Sequence, residues 1–403
     1  MTTFHEIFAV REFRALFAGN ALGVARQTIQ MLALSSLVYA ATDAPLLAAL
    51  ALLGGLLPQA VGALTLLSFA DRVRPRGFLT VWAAAGVIQA LVLASGVLPI
   101  PGMLLMIMAF GVGEALASAV RGGLLAEVLP GGYVLGRSVL NVSVGGMQIA
   151  GFAAGGTLIA ALGPRGALLV AAGLGVWATA VTGTGLRTRA PRSTGRAGVA
   201  ATWRADRLLL GSAAVRPLLL AAWLPNGVIV GAEAMYVPYA GAAAGVLFVA
   251  GAAGMLLGDL LVGRWMTATT RERWSSPLRA LLAVPYLIFV LRPELPVAVV
   301  AVFVASTGYA GTLALQQRLV AIVPAGLTGQ AIGLESSGRM TFQAVGGAFV
   351  GTVAQATGAA TAMTVAGAAS LLATLALVPQ LRRAQKANST PVARRISQPL
   401  PYR

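Results

Sequence analysis

A chain of 403 residues that is 58% apolar and only 10% charged describes a multi-span membrane protein, since a crossing helix needs roughly 20 apolar residues, and excludes a soluble enzyme. Zero cysteines and the single His5 leave no disulfide, thiolate metal site, cysteine nucleophile or histidine pair, so no metal and no other cofactor is implied. The net charge of +17 does not point to nucleic acid, because the arginines gather in every second inter-helix connection, as the positive-inside rule describes.

The first fourteen residues, with Glu6, Arg11, Glu12 and Arg14, form a short polar N-terminus, and the apolar stretch after them has no cleavage-type site near its end. Twelve apolar runs of spanning length follow, at 15–40, 46–69, 78–96, 103–119, 138–162, 166–186, 218–239, 245–262, 278–291, 297–315, 331–354 and 361–378. The expected fold is therefore an all-α membrane protein with twelve transmembrane helices. An even count puts both termini on one side, and the basic connections lie on that side too: Arg72, Arg74 and Arg76, then Arg187 to Arg207, then Arg264 to Arg279, then the tail from Arg382. The opposite loops carry only Arg165 and Arg292. This asymmetry places both termini in the cytoplasm and the protein in the cell, or inner, membrane.

The longest polar interruption, 187–216, splits the chain into two six-helix bundles, 15–186 and 217–379. Residues 380–403, with Pro391, Pro399 and Pro401, read as a disordered cytoplasmic tail. An internal repeat supports the 6+6 division. Val128-Leu129-Pro130 before the fifth helix matches Ile322-Val323-Pro324 before the eleventh, and Gly151 with Gly155 inside the fifth matches Gly347 with Gly351 inside the eleventh. Parallel halves with a binding site at their midplane interface are an architecture of secondary transporters.

Charged groups deep in a span are costly and tend to mark function. Arg26 in the first helix and Glu114 in the fourth lie at similar depth, so the two are candidates to meet. At 100° per residue Asn20, Gly23, Arg26, Gln27 and Gln30 share a stripe that faces something other than lipid. Trp223, Asn226, Glu233 and Tyr236 form a second stripe in the seventh helix, suited to a bulky or cationic ligand. Asp259 lies in the eighth helix, and Glu335 with Arg339, four residues apart in the eleventh, can neutralise each other along one face. Glycines at four-residue spacing give close helix packing.

These features resemble the major facilitator superfamily. The opening Phe13-Arg14-x-Leu16-Phe17, the Ala70-Asp71-Arg72 step after the second helix and the region from Arg121 to Gly156 are similar to the branch of enterobactin and macrolide exporters. The resemblance implies a gate on the cytoplasmic side at Asp71, Arg72 and Arg76. Gly151-Phe152-Ala153-Ala154-Gly155-Gly156 resembles the antiporter signature of the fifth helix, with Phe152 at the place of its proline, and so implies export. An arginine that many proton-coupled relatives carry in the fourth helix is absent from the 103–119 run, while Arg26 stands in the first helix. The resemblance therefore implies a swap in which Glu114 and Arg26 couple transport to protons, with Gly151, Gly155 and Gly156 packing the switching helix, while the polar stripes of the first and seventh helices make Gln30, Trp223, Asn226 and Glu233 the expected substrate contacts.

The expected function is a secondary active exporter, expected as a monomer, of a small amphipathic molecule, such as a drug, siderophore or natural product, by proton antiport and alternating access. Its expected partners are that substrate, protons and the lipid bilayer. No Gly-x-x-x-x-Gly-Lys phosphate loop is present to take ATP. Two alternatives stand beside this reading: an uptake permease of the same fold, and a transporter-like sensor or assembly partner that moves nothing.

Overall fold

In a computed structural model of the chain, residues 3–65, 67–191, 199–324 and 327–388 are described. In chain order the spanning helices are α1 (Arg11–Thr42), α2 (Pro45–Leu53 with Leu56–Thr65), α3 (Pro75–Ser95), α4 (Ile100–Val128), α5 and α6 (together Tyr133–Gly185) and α7 (Arg216–Glu233, then Tyr236–Ala240). They continue as α8 (Ala244–Trp265), α9 (Ala268–Ala283, then a 3-10 segment Val284–Leu291), α10 (Leu295–Thr307 and Gly311–Ile322), α11 (Thr328–Thr357) and α12 (Ala359–Asn388). The protein is an all-α membrane protein, and each of the twelve apolar runs falls on one of these helices.

Several helix starts follow from proline, which is tolerated in the first turn because its missing N–H would be unsatisfied there anyway; α2, α3, α4 and α7 all use it. The turn between α5 and α6 has no loop. Gly163 takes φ 71°, ψ 172°, a conformation open to glycine and not to residues with a Cβ, and Pro164 starts the next helix.

Among the described residues eight stretches are long and apolar enough to cross a membrane, and two of them, Leu135–Gly185 and Arg216–Trp265, hold a pair of helices each. α1 and α11 are long enough but are not among them. They are also the helices that carry Arg26 with Gln27 and Gln30, and Glu335 with Arg339. Inside a bundle, such helices can carry polar stripes that lipid would not solvate. The lipid faces belong to other helices: Val81, Ile88, Leu105, Trp177, Val300 and Leu372 are each more than 60% exposed, as side chains solvated by the bilayer are.

Three boundaries differ from the sequence expectation. α4 continues past residue 119 to Val128 and so carries Arg121. α12 runs to Asn388, so the first part of the expected disordered tail is helix; the remainder, 389–403, lies outside the described residues. The 187–216 linker contains a helix, Val199–Gly211. Its Asp206, 8% exposed, accepts a 2.6 Å hydrogen bond from Gln330 of α11 and docks the linker on the second half.

The two halves meet through small residues at the ends of α2, α5, α8 and α11 remote from the termini. A Cβ placed on Gly156 of α5 would lie 3.1 Å from the Gly245 Cα of α8, and one on Gly351 of α11 would lie 2.9 Å from the Leu46 Cα of α2. The Phe152 and Phe248 rings stack across the seam, centroids 4.5 Å apart. Toward the terminal side α5 and α8 are apart, while α2 stays packed on α11 along Leu56–Thr65. Gly145 on α5, Gly263 on α8 and Gly333 on α11 have nothing within 4 Å of a built Cβ. Val142, on the Gly156 face of α5, is 66% exposed. Between α5 and α8 the seam is closed at one end and open on the side of the arginine-rich loops.

Candidate functional site

Arg26 of α1 points into its own half. Its guanidinium donates to Gln30 Oε1 at 2.9 Å and to the Gly86 carbonyl of α3 at 3.5 Å. A Cβ on Gly86 would lie 2.9 Å from the Arg26 Cζ, and one on Gly175 of α6 would lie 3.1 Å from its Cδ, so these glycines make the slot that the side chain occupies. Gln30 is thus the direct hydrogen-bond partner of Arg26.

Glu114 of α4 does not pair directly with Arg26. One carboxylate oxygen forms an ion pair with Arg121, seven residues further along α4, and the other accepts a 2.9 Å hydrogen bond from the Trp82 indole of α3. Gly113 leaves room for that indole, since a Cβ there would collide with it. Arg26 and Glu114 nonetheless line the same two recesses, each about 60 Å³. One is bounded by α1, α3, α4 and α6, and the other by α1, α2, α3 and α4. That volume holds a few waters and is smaller than the several hundred Å³ of a typical ligand site. The cluster is therefore a polar network inside the first half. Arg121 is the member that the sequence boundary at residue 119 left out, and helix four does carry an arginine after all.

The helix-seven stripe does not converge on one ligand. Trp223, 6% exposed, donates its indole N–H to the Glu335 carbonyl at 2.8 Å and stacks on Phe342, both on α11. Asn226 accepts from Gln343 of α11 at 2.8 Å. Glu233 turns instead toward α10 and accepts a 2.8 Å hydrogen bond from the Tyr309 hydroxyl. Beside it the Tyr236 and Tyr286 hydroxyls share a 2.6 Å hydrogen bond, with both residues fully buried. On α11 Arg339 bonds Glu335 at 3.2 Å, and Gln316 reaches the same carboxylate at 3.4 Å. Asp259 of α8 is exposed, on the helix face that carries Gly245 at the closed end of the seam.

The expected gate residues lie at the terminal ends of α2 and α3. Arg76 donates to Thr188 at 3.1 Å, and the Arg72 guanidinium sits 6.0 Å from the Phe69 ring; these contacts stay within the first half. The Asp71 side chain lies outside the described ones. The three helix-five glycines divide by role. Gly151 and Gly155 pack α5 on Thr28, Ile29 and Leu32 of α1, whereas Gly156 meets the opposite half.

A second ionic network, unmarked in the sequence, ties the terminal ends of the first half together. Arg189, beyond α6, pairs with Glu12 of α1 and with Glu127 of α4, the latter at 3.2 Å, and the Arg187 N–H donates to Glu12 at 2.9 Å. Burial pushes the Glu12 carboxyl up, but the hydrogen bonds and charges of Arg189 and Arg187 outweigh it and hold the group below its ordinary range.

A groove on the outer end of the second half, lined by Tyr239, Arg292, Pro293 and Ala359 among others, is wider, at about 440 Å³. It touches none of the intramembrane charges discussed above.

No family model matches the sequence, and a comparison with curated proteins finds no match either. Solved structures do resemble it. The nucleoside transporter NupG is 11% identical with a TM-score of 0.75, covering 92% of this chain and 99% of its own. A bacterial homologue of the human lysosomal transporter Spinster, inward-facing and unoccupied, is 15% identical with a TM-score of 0.72, covering 94% and 98%. The human organic anion transporter MFSD10 is 18% identical with a TM-score of 0.61, covering 91% and 99%. This chain shares the fold of these transporters, an all-α membrane protein of two six-helix bundles.

Proposed function

We propose that this protein is a secondary active exporter that moves a small amphipathic molecule out of the cell in exchange for protons. The observation that carries the reading is the asymmetry of the seam. Glycines bring α5 against α8 and α2 against α11 at one end, while Val142 and Asp259 stand exposed where α5 and α8 part toward the arginine-rich side. Two rigid halves joined in this way open to one side at a time, which is the geometric requirement of alternating access. The parted walls offer apolar surface at Val142 and polar surface at Asn141 and Asp259, a mixture suited to an amphipathic solute.

Export is favoured over uptake by the resemblance of Gly151, Gly155 and Gly156 to the antiporter signature of the fifth helix, and each of the three packs against a neighbouring helix. Proton drive is favoured by intramembrane carboxylates together with the lack of a phosphate loop. In this reading Arg26, Glu114 and Arg121 form the polar switch of the first half, with Gln30 as the internal hydrogen-bond partner of Arg26.

The test is accumulation of a panel of amphipathic compounds in a pump-deficient bacterial host, with and without a protonophore. Lower accumulation that the protonophore restores is the expected result. Higher accumulation in expressing cells would reverse the direction, and export that ignores the protonophore would overturn proton coupling.

A further inference from the structure

The carboxylates inside the spans differ in what balances them. Glu114 is neutralised by Arg121 and Glu335 by Arg339, while Asp259 is exposed. Glu233 has none of these arrangements. Its hydrogen-bond partner is the neutral Tyr309 hydroxyl at 2.8 Å, and among the described residues no arginine, lysine or histidine lies within ion-pair distance of it.

The groups that face it are known from each neighbouring helix. α10 contributes Tyr309; α9 contributes Tyr286, bonded to Tyr236 of α7 itself. α11 contributes Arg339, whose charge is committed to Glu335. The charges of α8 and α12 are remote. Asp259 is eleven residues beyond Phe248, which touches Tyr236, or about 16 Å at 1.5 Å per residue. Arg382 is fifteen residues beyond Gly367, which packs on Tyr286, or about 22 Å. Glu233 itself is partly buried, an ion without a counter-ion beside these buried rings is costly, and a proton is the neutraliser that needs no other group.

A continuous set of contacts joins this pocket to the seam. The Tyr236 ring meets Phe248 edge to face, centroids 4.9 Å apart, and Phe248 stacks on Phe152 of the other half. Closing the outer end of the seam therefore builds the apolar wall beside Glu233, and opening it admits water.

Building on the export reading above, we infer that Glu233, held by Tyr309 and walled by Tyr236 and Tyr286, is the proton-carrying group of this transporter, and that the Phe152–Phe248 stack links its occupancy to closure of the outer end. In the outward-open state the carboxylate takes one proton from a hydronium ion, leaving water, and becomes a neutral carboxylic acid. The neutral acid tolerates closure of the seam where the carboxylate does not, and the proton returns to water once the inner route opens. No other reactant is needed. This assignment moves the proton from Glu114, whose charge the arginine already balances.

The test needs no substrate. Purified protein in nanodiscs is examined by infrared difference spectroscopy between alkaline and acid deuterated buffer, subtracting each variant from the native protein. The protonated-carboxyl band of the native protein is expected to vanish in Glu233→Gln and to persist in Glu114→Gln. In Tyr309→Phe, which keeps the ring and the fold, it is expected to move to higher wavenumber as its carbonyl loses a donor. A band unchanged in both Glu233→Gln and Tyr309→Phe, or lost in Glu114→Gln, overturns the assignment. The two readings fail separately. A Glu233 band with no compound exported leaves the proton site standing without the export function. Export that stays proton-driven in Glu233→Gln, and becomes uncoupled in Glu114→Gln, removes the proton site alone.

Discussion

Gly156 of α5 and Gly245 of α8 lie backbone to backbone across the seam: a Cβ on Gly156 would come within 3.1 Å of the Gly245 Cα, and one on Gly245 within 2.8 Å of the Gly156 Cα. Each glycine admits the other helix, so a side chain at either one acts on closure of the outer end before it acts on either half. Overpacking of this kind costs about 1–3 kcal/mol, enough to move a two-state balance roughly tenfold. Gly245→Val should therefore favour the state in which the terminal side is shut. The chain has no native cysteine, so a single Val142→Cys reports on that side without background. Its maleimide labelling should be fast alone and about tenfold slower with Gly245→Val; equal rates would mean that this glycine contact does not set the equilibrium.

Glu114 balances Arg121 directly and Arg26 through a shared recess. Removing it strands two guanidinium groups, whereas removing Arg26 strands only the neutral acceptors Gln30 and Gly86. Breaking a fully buried pair costs about 3–5 kcal/mol, an upper bound for this partly buried one, 25% and 18% exposed. The expected order is that Glu114→Gln lowers the Tm of purified protein most and Arg26→Gln least. Glu114→Gln with Arg121→Gln should cost less than the two single changes added together, the mark of a coupled pair. Additive losses would separate the two residues.

The fold was legible because its signals are long. Twelve apolar runs and one-sided arginines specify spans and their alternation, and both survive errors of a turn at each end. Side-chain partners were less legible because such an error matters there: ending the fourth helix at residue 119 hid Arg121 and made Arg26 appear to be the natural partner of Glu114. Helix seven shows a related effect. Trp223, Asn226 and Glu233 share a stripe in projection, yet that stripe is wide enough to face two neighbours, so the first two meet α11 and the third meets α10. The glycine repeat was visible but was aligned one residue off. By contact, Gly151 corresponds to Gly346, which packs inside its own half, and Gly156 corresponds to Gly351, which packs across the seam. Sequence spacing alone carries no information about which partner each face meets.

The Glu12–Arg189 network gives a stability signature in acid. Glu12 precedes the apolar part of α1, and its carboxyl is held below the ordinary range by Arg189 and Arg187 despite burial. A depressed carboxylate stabilises the fold at pH values above its unfolded pKa, near 4.3, and that contribution is lost as pH falls through the lower folded value. Hydrogen bonds to charged groups are worth about 1.5–3 kcal/mol. The Tm of Glu12→Gln should lie below native at neutral pH, and the difference should shrink as pH drops below about 4. A gap that widens in acid has the wrong sign for this network.

Trp223 separates a packing role from a substrate role. Its indole N–H is committed to the Glu335 carbonyl and its ring to Phe342, and Gly338 opposite leaves the space, since a Cβ there would collide with the ring. Trp223→Phe keeps an aromatic ring and loses one hydrogen bond, a cost of about 0.5–1.5 kcal/mol. Gly338→Ala keeps the tryptophan and displaces it, at about 1–3 kcal/mol. Both should lower Tm while leaving the rank order of exported compounds unchanged, because neither alters a surface that a solute touches. If Trp223→Phe reorders the panel and Gly338→Ala does not, the indole contacts substrate in a state where α7 and α11 have separated, and the seam between them becomes part of the binding site.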